Sequence, residues 1–441
     1  TILFLTTASV IFAQRGKHAS LSVNTANTIV NEYTSLTANA TAGANTISVA
    51  NSTLNSNNRF LTILQPGDLI LIIQIQGATI SAADSNQWNP FPSPRDSSWG
   101  MINHYYNCGN WEFCEIKSIP TATSITLDCG LKYDYMAAGK VIVVRVPRYL
   151  SLTINSGGSI TCDAWNGTIG GICAIEVDKN LVISSGGSIN VSGKGFRRGG
   201  DYPDNQSTSG ANEYASKNAT YGAEKGEGII GYQLEYNIYG GMFCKASPAN
   251  GGGGGSSHNG GGGGGANAGD TSLWKAHGNP DNTPAGWTTA WNLQWPGFAT
   301  STSSGGGQGG YSFSNSNRDA TTTPPGNATW GGENRQVRGG HGGRPLDYST
   351  GKLFLGGGGG AGDGNDASAG RGGNGGALIY ITSYGTVSGT GNIISNGNDG
   401  ENTTGGGLDA GGGGGAGGTI IVNSVDTISG ITLTANGGKG G

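Results

Sequence analysis

Charge is scarce in this chain: Asp, Glu, Lys and Arg make up 12% of its 441 residues, against roughly 25% in an ordinary soluble domain. Its 24 basic and 28 acidic residues leave a net charge of −4 and form no run of one sign. A phosphate backbone is tracked by a cationic stripe, so nucleic acid is excluded as a partner. The five histidines, His18, His104, His258, His277 and His341, stand far apart without an i, i+4 pair, and a metal site would have to be assembled from distant loops. The six cysteines lack CxxC spacing, which argues against zinc. G-x-S-x-G, HExxH and a P-loop lysine are also missing, removing the common nucleophilic, zinc-protease and NTPase chemistries. No catalytic residue is assigned, and the chain is expected not to be an enzyme.

Glycine is abundant. It supplies 86 residues, where an average protein carries roughly 7%. The stretch GGGGGSSHNGGGGGG (251–265) has the composition of a flexible spacer. Yet the chain is 35% hydrophobic, with nine tryptophans and sixteen tyrosines, more apolar material than a disordered segment carries. The chain is therefore expected to fold.

The first residues, TILFLTTASVIFAQ, form an apolar stretch followed by Arg15, Lys17 and His18. That length suits the h-region of a secretory signal and is too short for the ~20 residues that cross a bilayer. Residues 1–13 are read as a signal-peptide remnant with cleavage near Ala13–Gln14, the alternative being a buried first strand. No later segment reads as a membrane span. Export permits disulfides; connectivity cannot be read from sequence, and Cys108 with Cys129 and Cys162 with Cys173 are the pairs to test first. Six buried free thiols are the alternative.

Residues 14–148 read as an N-terminal β domain of near-normal composition. LTILQPGDLILIIQIQGATI (61–80) holds two strand-like runs around the turn Pro66-Gly67-Asp68, FCEIKSIPTATSITLDCGL (113–131) reads as two short strands, and KVIVVRVPRYL (140–150) as another. Without helical periodicity, a small all-β sandwich or barrel is expected. From 149 a repeat begins: LTINSGGSI (152–160) recurs as LVISSGGSI (181–189), and GGALIYITSYGTVSGTGNIISNG (375–397) matches GGTIIVNSVDTISGITLTANG (417–437), with Gly375 aligned to Gly417. Short strands with fixed corners predict a parallel β-solenoid over 149–441, in which each coil buries its apolar face on the next. A large insertion emerges at about 194–350.

The glycine runs lie mostly in that insertion. Ordering glycine costs about 0.5–1 kcal/mol per residue more than ordering alanine, and close backbone packing must offset this. The runs have no strict Gly-X-Y period, which excludes collagen. The expectation is a bundle of extended, polyproline-II-like segments whose N–H and C=O groups pair between segments.

Trp287, Trp291 and Trp295 recur every fourth residue, and Tyr232, Tyr236 and Tyr239 are similarly spaced. These rings suit either a platform for sugars or a cover over the glycine layers. Glu224 with Glu227 and Asp363 with Asp366 are close in sequence. Such pairs could do acid/base work or bind Ca2+, although neither has EF-hand spacing; structural or solvated roles are the alternative.

NCGNWEF (107–113), LDCGL (127–131), VVRVPRY (143–149), SGKGFRRGG (192–200), GAEKGEGIIGYQ (222–233) and GGRPLDYSTGKLFLGGGGGAGDG (342–364) occur in order along the chain. On these motifs the sequence resembles the N-terminal modules of very large Bacteroidota cell-surface adhesins, the gliding-motility-associated substrates of the type IX secretion system. The resemblance implies export to the periplasm, passage through the type IX translocon, and display at the outer-membrane surface. The expected function is a non-enzymatic adhesin module that binds surfaces or polysaccharides. A self-associating filament or sheath subunit, a polysaccharide-cleaving β-helix enzyme and an ice-binding protein are the alternatives.

Overall fold

The computed structural model describes residues 14–82, 99–201, 213–256, 259–273, 304–310, 339–364, 368–404 and 409–441. The signal-like stretch 1–13 lies outside them. In chain order the strands are β1 (Leu21–Val23), β2 (Thr28–Ile29), β3 (Glu32–Ser35), β4 (Thr46–Ser48), β5 (Leu69–Gln74), β6 (Thr79–Ile80) and β7 (Ile102–His104). Then come β8 (Trp111–Thr121), β9 (Ser124–Leu127), β10 (Val141–Val146), β11 (Arg148–Tyr149), β12 (Leu152–Ile154), β13 (Ser159–Thr161), β14 (Ile172–Val177), β15 (Leu181–Ile183) and β16 (Ser188–Asn190). After a long interval follow β17 (Leu378–Ser383), β18 (Val387–Gly389), β19 (Asn392–Ile394), β20 (Thr419–Ser424) and β21 (Thr432–Thr434). Among the described residues no helix is long and apolar enough to cross a membrane.

Three parallel sheets, β1-β12-β15-β18, β2-β13-β16-β19-β21 and β11-β14-β17-β20, form the walls of a β-solenoid. Register stacks like on like: Leu152 pairs with Leu181 and Leu181 with Val387, while Ile160 pairs with Ile189 and Ile189 with Ile393. All six are fully buried, each stabilising by about 1.5–3 kcal/mol relative to exposure. The Ser-Gly-Gly corners turn at Gly157 and Gly186, both at positive φ, where a side chain would be strained. Leu378 pairs with Thr419 rather than Ile420, one residue tighter than the alignment of Gly375 with Gly417 implies. This register sends Ile379 and Ile381 into the solenoid interior and Leu378 and Tyr380 to the opposite face; a slip of one residue would exchange them.

The first coil is made by β1 and β2, which pair with β12 and β13. Residues 21–29 thus belong to the solenoid, and the antiparallel sheet β3-β10-β5-β8-β9-β4 is built from the chain that follows. Strand β8 pairs with β5 through Trp111–Glu115 and with β9 beyond Ile116, with register shifts between Ile116 and Thr121. Such irregularities bend a strand, and the sheet curls into a half-barrel. Ile70, Ile72, Val141 and Val143 fill its inside, while Leu69, Leu71, Ile142 and Val144 face the other way, onto Ile172, Ala174 and Leu378 of the solenoid. Both faces of β5 and β10 are therefore covered. The strand-like run at 61–65 is not a strand: the Arg145 guanidinium takes the carbonyls of Thr62 and Ile63, which a sheet ladder would otherwise use.

Between Asn190 and Leu378 the glycine runs form a bundle of extended segments. Residues 356–363 lie at its centre, and each successive N–H points to a different neighbour. Gly356, Gly359 and Gly362 donate to Gly376, Gly373 and Gly370; Gly357, Gly360 and Asp363 donate to Ala266, Gly263 and Gly260; Gly358 and Ala361 donate to Glu227 and Glu224. The carbonyls follow the same rotation, accepting from 196 and 199, from 416, 413 and 410, and from 252 and 255. A three-residue period is that of polyproline II, which has no internal hydrogen bonds and leaves every backbone group free to bond sideways. One segment thus pairs with six neighbours. A Cβ built on Gly255, Gly358, Gly359 or Gly360 would sit under 3.0 Å from a neighbouring carbonyl oxygen, so these positions exclude any other residue.

Candidate functional site

The residues singled out from sequence have structural roles where they are described. Tyr236 is 0% exposed and donates to the Gly226 carbonyl, and Tyr232 donates to that of Arg198. They cover the glycine layers and are no sugar platform. Trp287, Trp291 and Trp295 lie outside the described residues. Glu227 is buried and accepts from Gln76, Trp165 and Arg197, while buried Glu224 accepts from the Gly200 N–H. Asp363 accepts from the Asn259 N–H, and Asp366 is outside the described residues. Between the two glutamates, Lys225 donates to the carbonyls of Tyr214, Cys244 and Ala246 at 2.5–2.8 Å; burial pulls its ammonium down to about 7. These groups form a buried polar spine bonded mainly to backbone.

The two disulfide pairings are corrected: all six cysteines are free. Cys108 is buried and its thiol donates to the Ile75 carbonyl, whereas Cys129 is exposed. Cys162 and Cys173 are both inside the solenoid core, and burial pushes the Cys173 thiol up to about 12. Among the described residues no group of three or more His, Cys, Asp or Glu could hold a metal ion.

Sequence reasoning missed a groove of about 210 Å³ where the half-barrel meets the solenoid. Strand alternation supplies Phe113 and Glu115 from β8, with Cys114 turned into the half-barrel core. Strand β11 contributes Arg148 and β14 contributes Glu176, which pair in the parallel register. The Arg148 guanidinium bonds Glu176 at 2.6 Å, Glu115 at 2.7 Å and the Gly67 carbonyl at 3.1 Å. Burial pulls its pKa down, but the two carboxylates outweigh that and hold it above the ordinary value. At the mouth, the Arg15 guanidinium lies 3.5 Å over the ring of Tyr384. Burial raises the Tyr384 hydroxyl, with Glu176 adding to the shift.

Phe113 also packs edge-on against Trp111 and Tyr380, rings outside the groove lining that close it toward the core, with Tyr380 buried. Trp111 and Tyr380 have centroids 5.1 Å apart, Phe113 and Tyr380 5.0 Å, and Trp111 and Phe113 6.0 Å. Trp111 is anchored by its indole N–H on the Gly351 carbonyl. Within the groove, Phe113 and Tyr384 stand beside fixed charged donors and acceptors, an arrangement that can stack on the apolar face of a sugar while bonding its hydroxyls. The signal for this site was VIVVRVPRY: two arginines in an apolar run imply buried cations with carboxylate partners.

No family model matches this chain, and no curated protein matches it. Among solved structures it is similar to a tailspike of Pseudomonas phage phi297 (12% identity, TM-score 0.16) over 36% of this chain and 28% of that one. It is also similar to a tailspike of Acinetobacter baumannii bacteriophage AP22, solved with a capsular saccharide (13%, 0.16), over 40% of this chain and 30% of that one. A third is the tailspike of Pseudomonas phage LKA1 (13%, 0.16), over 40% and 33%. The chain thus spans a third or less of each neighbour.

Proposed function

We propose that the protein is an extracellular, non-enzymatic binding module that takes saccharide units of a polymer or surface in the Arg148 groove. The supporting observation is that the rings of Phe113 and Tyr384 line one groove with Arg15 and the Arg148–Glu115–Glu176 cluster. Both carboxylates are bonded to one guanidinium, an arrangement suited to recognising hydroxyl groups rather than passing protons. In line with the sequence resemblance, the module serves as a surface-displayed adhesin of the gliding-motility type, exported through the type IX translocon. The test is a glycan array and a surface-retention assay on the full 441-residue chain, followed by Tyr384→Ala and Arg15→Ala on any hit. Each variant is expected to weaken binding by about tenfold, the loss of one stacking or charged contact. Folded protein that binds neither glycans nor surfaces would remove this reading.

Self-association is the second reading. Among the described residues the coil of β20 and β21 leaves Val425 75%, Ile428 49% and Leu433 52% exposed, an apolar face onto which a coil of a second copy would stack. Light scattering at rising concentration tests it: a constant monomer mass speaks against assembly.

A further inference from the structure

The glycine bundle carries a second groove, lined by Asn259, Gln308 and Asp409 as well as by glycine. It is about 340 Å³ in volume and is bounded by segments 259–262, 308–310, 409–412 and 440–441. Its position follows from the bonding of two segments. In 260–266, the N–H groups of 261 and 264 donate to 310 and 307, those of 262 and 265 to 411 and 414, and those of 263 and 266 to 253 and 250. The carbonyls of 260 and 263 accept from 363 and 360, and those of 261 and 264 from 340 and 343. Five directions are occupied. In the sixth, the carbonyls of Gly262 and Gly265 have no hydrogen-bond partner among the described residues.

Segment 409–418 shows the complementary pattern. Its carbonyls accept from 370 and 373, from 262 and 265, and from 441 and 438, while its N–H groups at 410, 413 and 416 and at 412, 415 and 418 donate to two further neighbours. The N–H groups of Gly411 and Gly414 have no partner among the described residues. The Gly262 carbonyl and the Gly411 N–H therefore border one groove, and those of Gly265 and Gly414 lie one three-residue step further along the same two segments. Gln308 lines it, is 7% exposed, and its side-chain oxygen has no hydrogen-bond partner among the described residues. Three residues of polyproline II advance about 9 Å, so an extended strand with the same period would meet each pair in register.

We propose that this groove binds an extended glycine-rich strand of another polypeptide. The strand accepts from the N–H groups of Gly411 and Gly414 and donates to the carbonyls of Gly262 and Gly265 and to Gln308. Its glycines are required for the reason they are required elsewhere in the bundle: side chains would collide with the flanking backbone. The site is independent of the Arg148 groove, so failure of one proposal leaves the other standing.

The probe is a fluorescent synthetic peptide of six glycines flanked by lysines, titrated into the full 441-residue chain and read by polarisation. Saturable binding is expected. A sarcosine version, whose N-methyl groups remove every donor, is expected to bind at least about tenfold more weakly. Two variants place a side chain in the groove without a backbone collision. A Cβ on Gly310 meets nothing within 4 Å, and one on Gly440 comes no nearer than 3.8 Å to the Gly412 oxygen. Gly310→Leu and Gly440→Leu should keep the wild-type melting temperature and lose the peptide by a similar factor. No binding by the folded chain, equal binding of the sarcosine peptide, or equal binding by both variants would overturn the proposal. Displacement of the peptide by soluble oligosaccharides would also overturn it, by assigning the groove to sugars.

Discussion

The solenoid coils and the glycine bundle are two answers to the same problem of stacking extended chain. A solenoid strand such as β15 bonds to two neighbours within one sheet, β12 and β18, and buries side chains in the third direction. A bundle segment such as 356–363 bonds to six neighbours and leaves no room for side chains. The first wall is held by apolar burial and tolerates changes of shape at a graded cost. The second is held by backbone hydrogen bonds, each contributing about 0.5–1.5 kcal/mol net, and tolerates no added atom where segments touch.

The sharpest way to break this contrast is substitution at the bundle centre. Gly360→Val places side-chain atoms against the Gly253 carbonyl, with backbone on all sides and nothing flexible to yield. A loss of about 4 kcal/mol or more is expected in denaturant unfolding, or failure to fold. The matched change in the solenoid, Ile189→Ala, removes a fully buried side chain from the core and should cost about 2–4 kcal/mol. If the glycine change were the milder one, the bundle would not be close-packed.

The smallest effect concerns acid. His18 accepts the Arg148 N–H through Nδ1. Burial, opposed by Asp68 and assisted by Arg145, Lys17 and Arg148, lowers its pKa from 6.5 to about 4. The folded protein therefore holds His18 neutral while the unfolded chain protonates it. The resulting stabilisation is complete above pH 6.5 and is lost as pH falls from 6.5 to about 4. Melting temperature should decline through that window, and His18→Gln should flatten that part of the decline. An unchanged profile in the variant would assign the acid sensitivity to other groups.

Much of this architecture was legible in the sequence because it depends on local periodicity. The recurrence of LTINSGGSI as LVISSGGSI gave the coil, its Ser-Gly-Gly corner and the pairing of Leu152 with Leu181. The glycine runs indicated packed backbone because aromatics such as Tyr236 surround them. The site was hidden because its parts are distant along the chain: Arg15, Phe113, Glu115, Arg148, Glu176 and Tyr384 meet only where the half-barrel docks on the solenoid. Spacing within a single segment misled in the opposite direction. Glu224 and Glu227 read as an acidic pair, and the threefold turn of their segment does point both at one neighbour, but each carboxylate is taken up there by structure: Glu224 by the Gly200 N–H, Glu227 by the Arg197 N–H and guanidinium together with Gln76 and Trp165.

The central claim is that the glycine runs are ordered, hydrogen-bonded structure. Amide hydrogen exchange on the full chain tests it most directly, by comparing residues 356–363 and 252–255 with the buried strand β10. Packed segments predict protection in both glycine runs approaching that of Val141–Val146. Exchange of residues 356–363 at the rate of an open chain, while β10 stays protected, would contradict the claim and return these runs to flexible linkers.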